Sequence, residues 1–166
     1  MRQVVDYDPV IRILAKHLLA DEQFSTWGGW LTDEDTGEPM PLIVPRYLNT
    51  TDDSAYPILT IYRDYGIRLK NMTGHQEVHY FIHGWLKQST EEGLEQDVAA
   101  DCAYLMNMVV DILSDSPYYG RKVKELDMCR LVDSRCPCYQ AETRTHFFMT
   151  DWKIKVSPSI YYTKEA

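Results

Sequence analysis

Apolar residues recur at helical spacing in one long stretch near the middle of the chain. Their separations of four, three, four and three residues place them along one side of an α-helix. Ser89 and Glu92 form a capping-box pattern at the start, and Pro117 follows the last apolar residue, so both ends of the helix are marked. We therefore expect a long central helix over about residues 90–113. Its predicted core positions are Val98, Cys102, Leu105, Val109 and Ile112.

A shorter helix is predicted near the N-terminus. Asp8 followed by Pro9 is typical of an N-cap with proline at the first helical position, and the apolar residues after them keep helical spacing. This pattern indicates an N-terminal helix over about residues 8–20. Residues 21–55 then carry scattered glycines and prolines, which favour turns, including an exposed acidic turn, or a short hairpin over long elements.

Strand patterns lie on both sides of the long helix. Residues 56–62 are rich in β-branched and aromatic side chains, and residues 77–87 alternate with apolar residues on both faces. The strictest alternation comes last, over residues 146–156. The apolar side of this last strand, which includes Trp152 and Ile154, is expected to pack against the long helix.

The order of these elements predicts the fold class. A helix, two strands, the long helix and two more strands, the first of them near residues 125–135, favour an α+β domain. We expect a mainly antiparallel β-sheet packed on one face by the long central helix and the N-terminal helix. The 166 residues, 45% of them hydrophobic, contain no linker-like stretch, so we expect a single domain over residues 1–166.

The charge and hydropathy of the chain disfavour several classes of function. The formal net charge is -8 and the sequence pI is about 5.0, which disfavours sequence-specific binding to the phosphates of DNA. No apolar run reaches the length of about 18 residues that a membrane helix needs, and the N-terminus lacks the pattern of a secretion signal. We expect a soluble cytoplasmic protein.

Aromatic residues suggest contacts with other proteins. The chain has 12 tyrosines and four tryptophans, and one of the tryptophans, Trp85, lies in the strand that is apolar on both faces. Aromatic side chains dominate the buried centres of protein interfaces, so both faces of this strand could be covered in an assembly. An ordinary core with half-exposed tyrosines is the alternative.

Thiol and imidazole groups towards the C-terminus could form a zinc site. The candidate ligands are Cys129, Cys136, Cys138 and His146. Only one residue separates Cys136 from Cys138, whereas the paired cysteines of a zinc site are usually roughly two to four residues apart. We interpret this stretch as a turn with reduced cysteines, and zinc binding or a redox or disulfide role remain alternatives.

Other chemistry has little support in the sequence. His79 and His83 would lie about 13 Å apart on a strand, too far for one metal ion to bind both. The chain has no dinucleotide-binding fingerprint, no Walker loop and no HExxH sequence. The sequence therefore predicts no active site and no cofactor, and we expect that the protein is not an enzyme.

Five stretches together carry a resemblance to a known family. They are DYDPVIRILAKHLL, YPILTIY, EVHYFIHGWLKQ, LEQDVAADCAYLMNMVVDIL and THFFMTDWKIKVS. In this order they resemble the tail terminator proteins, also called tail completion or head-tail joining proteins, of long-tailed bacteriophages. The likeness covers most of the chain and lies in the pattern of elements.

The resemblance implies a structural role in the virion, in the tail or neck, after assembly in the host cytoplasm. Proteins of this family form a hexameric ring that closes the end of the tail tube and provides a docking surface for the head connector. The implied partners are other copies of the chain, the tail tube protein and the head-connector or stopper protein, with DNA only passing through the lumen and no membrane. Alternatives are another neck component, such as a head completion or stopper protein, and a small zinc-binding or thiol-dependent protein.

A polar, partly basic loop over residues 64–76 is the predicted contact with the tube or with a neighbouring subunit. Its length and its basic residues in an otherwise acidic chain motivate this hypothesis. The predicted contact residues are Gly66, Arg68, Lys70, Asn71 and His75. Shortening the loop is expected to block the attachment of heads to tails without unfolding the protein.

Overall fold

The computed structural model describes residues 8–47, 56–64, 71–72, 75–87, 98–157 and 160. Two helices come first along the described chain, followed by four strands, a third helix and two more strands. The helices are α1 (Pro9–Ala20), α2 (Glu22–Ser25) and α3 (Val98–Leu113). The strands are β1 (Ile43–Val44), β2 (Ile58–Arg63), β3 (Asn71–Met72), β4 (His75–Lys87), β5 (Met128–Gln140) and β6 (Thr145–Val156).

The strands form one mixed sheet. Five of them lie side by side in the order β1-β2-β4-β6-β5, and the short β3 pairs with β4. The pairs β2-β4, β4-β6 and β5-β6 are antiparallel. Strand β1 instead runs parallel to β2, with Ile43 opposite Leu59. Strands β4 and β6 form the centre of the sheet, and residues 76–87 pair continuously with residues 145–156.

One face of the sheet forms the hydrophobic core with the helices. Tyr80 and Trp152 lie opposite each other on this face and are fully buried. Asp8 connects the face to α1: its side chain accepts a hydrogen bond from the Val10 amide at 3.0 Å and another from the Tyr80 hydroxyl at 2.8 Å. Asp8 thus caps α1, as its position before Pro9 predicted, and also fixes the helix start to β4.

Core positions on α3 follow the apolar stripe closely. Val98, Cys102, Leu105 and Val109 are buried, as are Trp152 and Ile154 on β6. Ile112 is only partly buried and packs at the edge of the core, whereas the neighbouring Leu113 is fully buried. Met108 is buried as well, so the core-facing side of α3 is wider than one residue per turn.

The predicted architecture, a mainly antiparallel sheet packed by one long central helix over residues 90–113, is wrong. Helix α3 has 16 residues and spans about 24 Å, whereas the 13 residues of β4 span about 43 Å. The helices are three short segments, and β1 makes the sheet mixed by adding a parallel edge. The capping-box residues Ser89 and Glu92 lie outside the described residues.

Strand β1 arises from a segment for which the sequence analysis expected turns or a short hairpin. Its two residues pair with β2, a partner more than ten positions further along the chain, and a strand this short shows no periodicity. The exposed acidic turn predicted in the same segment is present, and the Gly37 amide donates to the Asp33 carbonyl at 2.7 Å within it. Within the described part of the chain, no helix is long and apolar enough to cross a membrane.

Candidate functional site

The second face of the sheet is the candidate functional site. Side chains alternate between the two faces of a strand, so the residues between the core positions point away from the core. We use the name open face for these residues on β2, β4, β6 and β5, and none of them belongs to the hydrophobic core cluster. The open face comprises Thr60, Tyr62, Phe81, His83, Trp85, Phe147, Met149, Asp151, Asp133 and Arg135.

Aromatic rings on neighbouring strands contact each other across the open face. The centroid of the Tyr62 ring lies 5.1 Å from that of Phe81 and 5.3 Å from that of His83. Further along the sheet, Trp85 stacks on Phe147 with 4.4 Å between their centroids. Apart from His83, which is buried, these rings are only partly buried. Mutual packing holds them in place, so a partner could bind with little loss of side-chain entropy.

Two polar atoms in β4 are buried on this face without hydrogen-bond partners. Neither His83 Nε2 nor Trp85 Nε1 has a partner in the described part of the chain. A buried polar group without a partner costs about 1–3 kcal/mol, and such groups are rare in folded proteins. Such atoms are not confined to this face, because Asp115 Oδ1 and His146 Nδ1 also lack a partner among the described residues. The partly exposed aromatic rings are therefore the stronger indication that another molecule covers the open face.

Burial also determines the protonation of the face. Burial lowers the pKa of His83 to about 4, so the imidazole is neutral near neutral pH and can accept a hydrogen bond. Burial, together with the nearby Tyr47, Asp151 and Asp64, raises the pKa of Tyr62 to about 12, which keeps its phenol protonated. The centre of the open face is thus uncharged and can be covered without removing an ion from water.

A cleft of about 160 Å³ lies beside this centre, between β4, β6 and β5. Phe81, His83 and Met149 line its inner part, and Asp133, Arg135 and Asp151 contribute charged groups. Burial, and then repulsion from Asp133, raises the pKa of Asp151. Sites for small molecules usually have volumes of about 300–1,000 Å³, so this cleft is better suited to one inserted side chain of a partner protein.

The predicted contact loop is only partly described. Gly66, Arg68 and Lys70 lie outside the described residues. Asn71 lies in β3 opposite Gln76, and His75 begins β4 opposite Met72. The proposed role of this loop stays a prediction.

The predicted turn at Cys136 and Cys138 is wrong, because both residues lie within β5. The pairing register shifts between Arg135 and Cys138, which lets the strand pass through the intervening proline. Cys129 is buried in the core, and His146 packs on Tyr139 at 4.9 Å between ring centroids. The described residues contain no cluster of three histidine, cysteine or acidic side chains with a geometry that could hold a metal ion.

The structure instead brings together two cysteines that the sequence analysis did not pair. Cys102 Sγ in α3 lies 3.8 Å from Cys136 Sγ in β5. The residues are 34 positions apart, and sequence spacing draws attention to Cys138 as the neighbour of Cys136. Only the packing of α3 against β5 could have revealed the pair.

Comparison with models of known protein families finds no match, and comparison with curated proteins finds no similar one. The function is therefore inferred from the geometry of the open face. The open face carries partly exposed aromatic rings that contact one another, a composition typical of protein-protein interfaces.

Proposed function

We propose that the protein is a structural virion protein that assembles into a ring at the end of a phage tail tube and presents a docking surface for the head connector. The observation that carries this proposal is the set of partly exposed aromatic rings that contact one another on the open face: Tyr62 with Phe81, and Trp85 with Phe147. An assembly protein is expected to present such apolar rings for its neighbour to cover. The resemblance of the sequence pattern to tail terminator proteins supports the same role.

A ring needs two different patches on each subunit, because one patch must meet the other patch of the next subunit. The open face is the first patch. The second is the turn between α3 and β5, where Tyr118 and Tyr119 are 89% and 80% exposed. Residues with large exposed rings at a turn are suited to insertion into a neighbour, and tyrosine is enriched among the residues that dominate interface energies.

The turn holds its two tyrosines in a defined position. The Gly120 amide donates to the Ser116 carbonyl at 2.8 Å, and the Ser116 side chain accepts a hydrogen bond from the Tyr118 amide at 3.1 Å. Gly120 has a φ of +69°, which few other residues adopt, so the glycine permits this tight return. A tyrosine hydroxyl can both donate and accept, so one such group could donate to Asp133 or Asp151 in the cleft of the next subunit.

The net charge of -8 suits a ring around a DNA passage. A negative surface repels phosphates, so DNA can move through the lumen without being held there. In this proposal the partners are other copies of the chain, the tail tube protein and the head-connector protein, and the role requires no catalysis.

Electron microscopy of isolated tails tests the proposal. Purified protein is added to tails that lack their head-proximal ring, and we expect a new ring at the tube end. The Phe81→Ser variant, which disrupts the open face, should bind tails at least tenfold more weakly, because loss of a central aromatic contact typically costs about 1.4 kcal/mol or more. Leu31→Ser is the matched control, since Leu31 is 46% exposed and lies outside the open face.

Three outcomes would each contradict one part of this proposal. Binding of the wild-type protein to filled heads and not to tails would assign it to head completion. Equal binding by Phe81→Ser and Leu31→Ser would remove the open face from the interface. Stoichiometric zinc in the purified protein, measured by mass spectrometry, would favour the alternative of a zinc-binding protein.

A further inference from the structure

Two thiols lie side by side where α3 packs on β5. Cys102 Sγ and Cys136 Sγ are 3.8 Å apart, and both cysteines are free. A disulfide bond is about 2.05 Å long, so the two sulfur atoms need to approach each other by less than 2 Å, roughly the shift that small side-chain rotations produce. The pair joins elements that are distant in the chain, and nothing in the proposed assembly uses it.

We infer that Cys102 and Cys136 form an oxidation site that reacts with one equivalent of a hydroperoxide and closes a disulfide between α3 and β5. This inference is independent of the proposed role in the virion. It rests on the distance between the sulfur atoms and on their unequal exposure.

Exposure decides which sulfur reacts first. Cys102 is fully buried, whereas Cys136 is partly exposed. A hydroperoxide can therefore reach Cys136 but not Cys102. Once Cys136 is oxidised, Cys102 is the resolving thiol, because it lies within contact distance on the protein side, where water has little access.

The reaction balances in two steps. The Cys136 thiolate attacks one oxygen of hydrogen peroxide, an S–O bond forms, the O–O bond breaks, and the released hydroxide takes the proton that the thiol lost. The product is a sulfenic acid at Cys136 and one water. The Cys102 sulfur then attacks the Cys136 sulfur, the S–S bond forms, the S–O bond breaks, and the departing hydroxide takes the Cys102 proton. In total, two thiols lose two electrons to one peroxide, which becomes two waters.

The other two cysteines are less suited to this reaction. Cys129 is fully buried beside Asp115, and burial raises the pKa of its thiol, so it offers little reactive thiolate. Cys138 is partly exposed and is separated from Cys136 by one proline, so it is the competing resolving thiol. Burial also raises the pKa values of Cys102 and Cys136, so we expect slow oxidation that needs an excess of peroxide.

Closing the bond should stabilise the protein. The cross-link would join positions 34 residues apart and so restrict the unfolded chain. For a loop of this length and a protein of this size, we expect the melting temperature to rise by about 10 °C. The rise should be reversed by dithiothreitol.

Peptide mapping of the peroxide-treated protein under non-reducing conditions tests the inference. The wild-type protein should lose two hydrogen atoms in mass and yield a peptide that contains Cys102 linked to one that contains Cys136. The link should persist in Cys138→Ser and in the matched control Cys129→Ser. It should disappear in Cys136→Ser.

A second measurement tests whether Cys102 is the resolving thiol. In Cys102→Ala, a dimedone probe should trap the Cys136 sulfenic acid several-fold more than in the wild-type protein, because the resolving thiol is missing. A link retained in Cys136→Ser, equal trapping in both proteins, or an oxidised wild type with an unchanged melting temperature would each overturn the inference.

Discussion

Trp152 and Trp85 show at the residue scale how the two faces of the sheet differ. On the core face, the Trp152 indole donates to Thr150 Oγ1 at 2.7 Å, and the Tyr80 hydroxyl donates to Asp8. On the open face, the Trp85 indole and His83 Nε2 have no partner among the described residues. Buried atoms without a partner also occur elsewhere among the described residues, at Asp115 Oδ1 and His146 Nδ1. The feature that distinguishes the open face is therefore its set of partly exposed aromatic rings.

His83 gives a prediction about pH. Its pKa is about 4 in the folded protein because of burial, compared with 6.5 for an unperturbed histidine. Below pH 6.5 the unfolded chain therefore takes up a proton that the folded protein does not. Stability that is fully present above pH 6.5 should be lost as the pH falls to 4, by at most about 3 kcal/mol.

Urea denaturation of the wild-type protein and of His83→Gln, at a series of pH values, measures this effect. As the pH falls from 6.5 to 4, the free energy of unfolding of the wild type should decrease relative to that of His83→Gln, because only the wild type carries the titrating group. Parallel curves over this range would show that His83 is not held neutral by the fold.

Strand β6 shows how much of an element can be read from the sequence. Its alternation predicts which side chains face the core, since burial and exposure follow the pleat from Phe148 to Val156. The start of α1 could be predicted for a similar reason, because Asp8 and Pro9 are local signals. Elements of this kind can be predicted because their signal lies in residues that are adjacent in the sequence.

Elements that depend on distant partners could not be predicted. Strand β1 has only two residues and is defined by its pairing with β2. In β5, the register shift interrupts the alternation, so the sequence does not show that the strand continues through Cys136. The open face depends on the order of the strands, because Asp133 and Asp151 become neighbours only when β5 pairs with β6. The contact between Cys102 and Cys136 likewise follows from tertiary packing.

Gly84 gives a prediction for the central strand pair. It lies in β4 opposite Phe148 in β6, and a Cβ atom at this position would overlap the buried Phe148 ring. The ring is fully buried and has little space to move. We expect Gly84→Ala to lower the free energy of unfolding by about 1–3 kcal/mol through overpacking, measured by urea denaturation.

Gly28→Ala is the matched control for this substitution. No atom lies within 4 Å of a Cβ at Gly28, so this change should leave stability unchanged or raise it slightly. Combining Gly84→Ala with Phe148→Leu should recover part of the loss, because the smaller side chain makes room. Equal stability of Gly84→Ala and the wild type would show that β4 and β6 are further apart than described.

At the scale of the whole molecule, the short helices pack on one face of the sheet, and the open face is the surface through which we propose that the protein assembles. The exposed Tyr118–Tyr119 turn and the open face are different surfaces, so contact between them is heterologous and can propagate around a ring. An isologous dimer would instead bury the same patch on both subunits. The two arrangements predict different behaviour when variants are mixed.

Sedimentation velocity of mixed variants tests the central claim most directly. The first variant is Phe81→Ser, which keeps the turn, and the second is Tyr118→Ser combined with Tyr119→Ser, which keeps the open face. We expect the wild type to form larger assemblies, each variant alone to stay monomeric, and an equimolar mixture to form a one-to-one complex through the remaining pair of intact patches. A mixture that sediments as monomers, or a variant that assembles alone like the wild type, would contradict heterologous assembly through the open face.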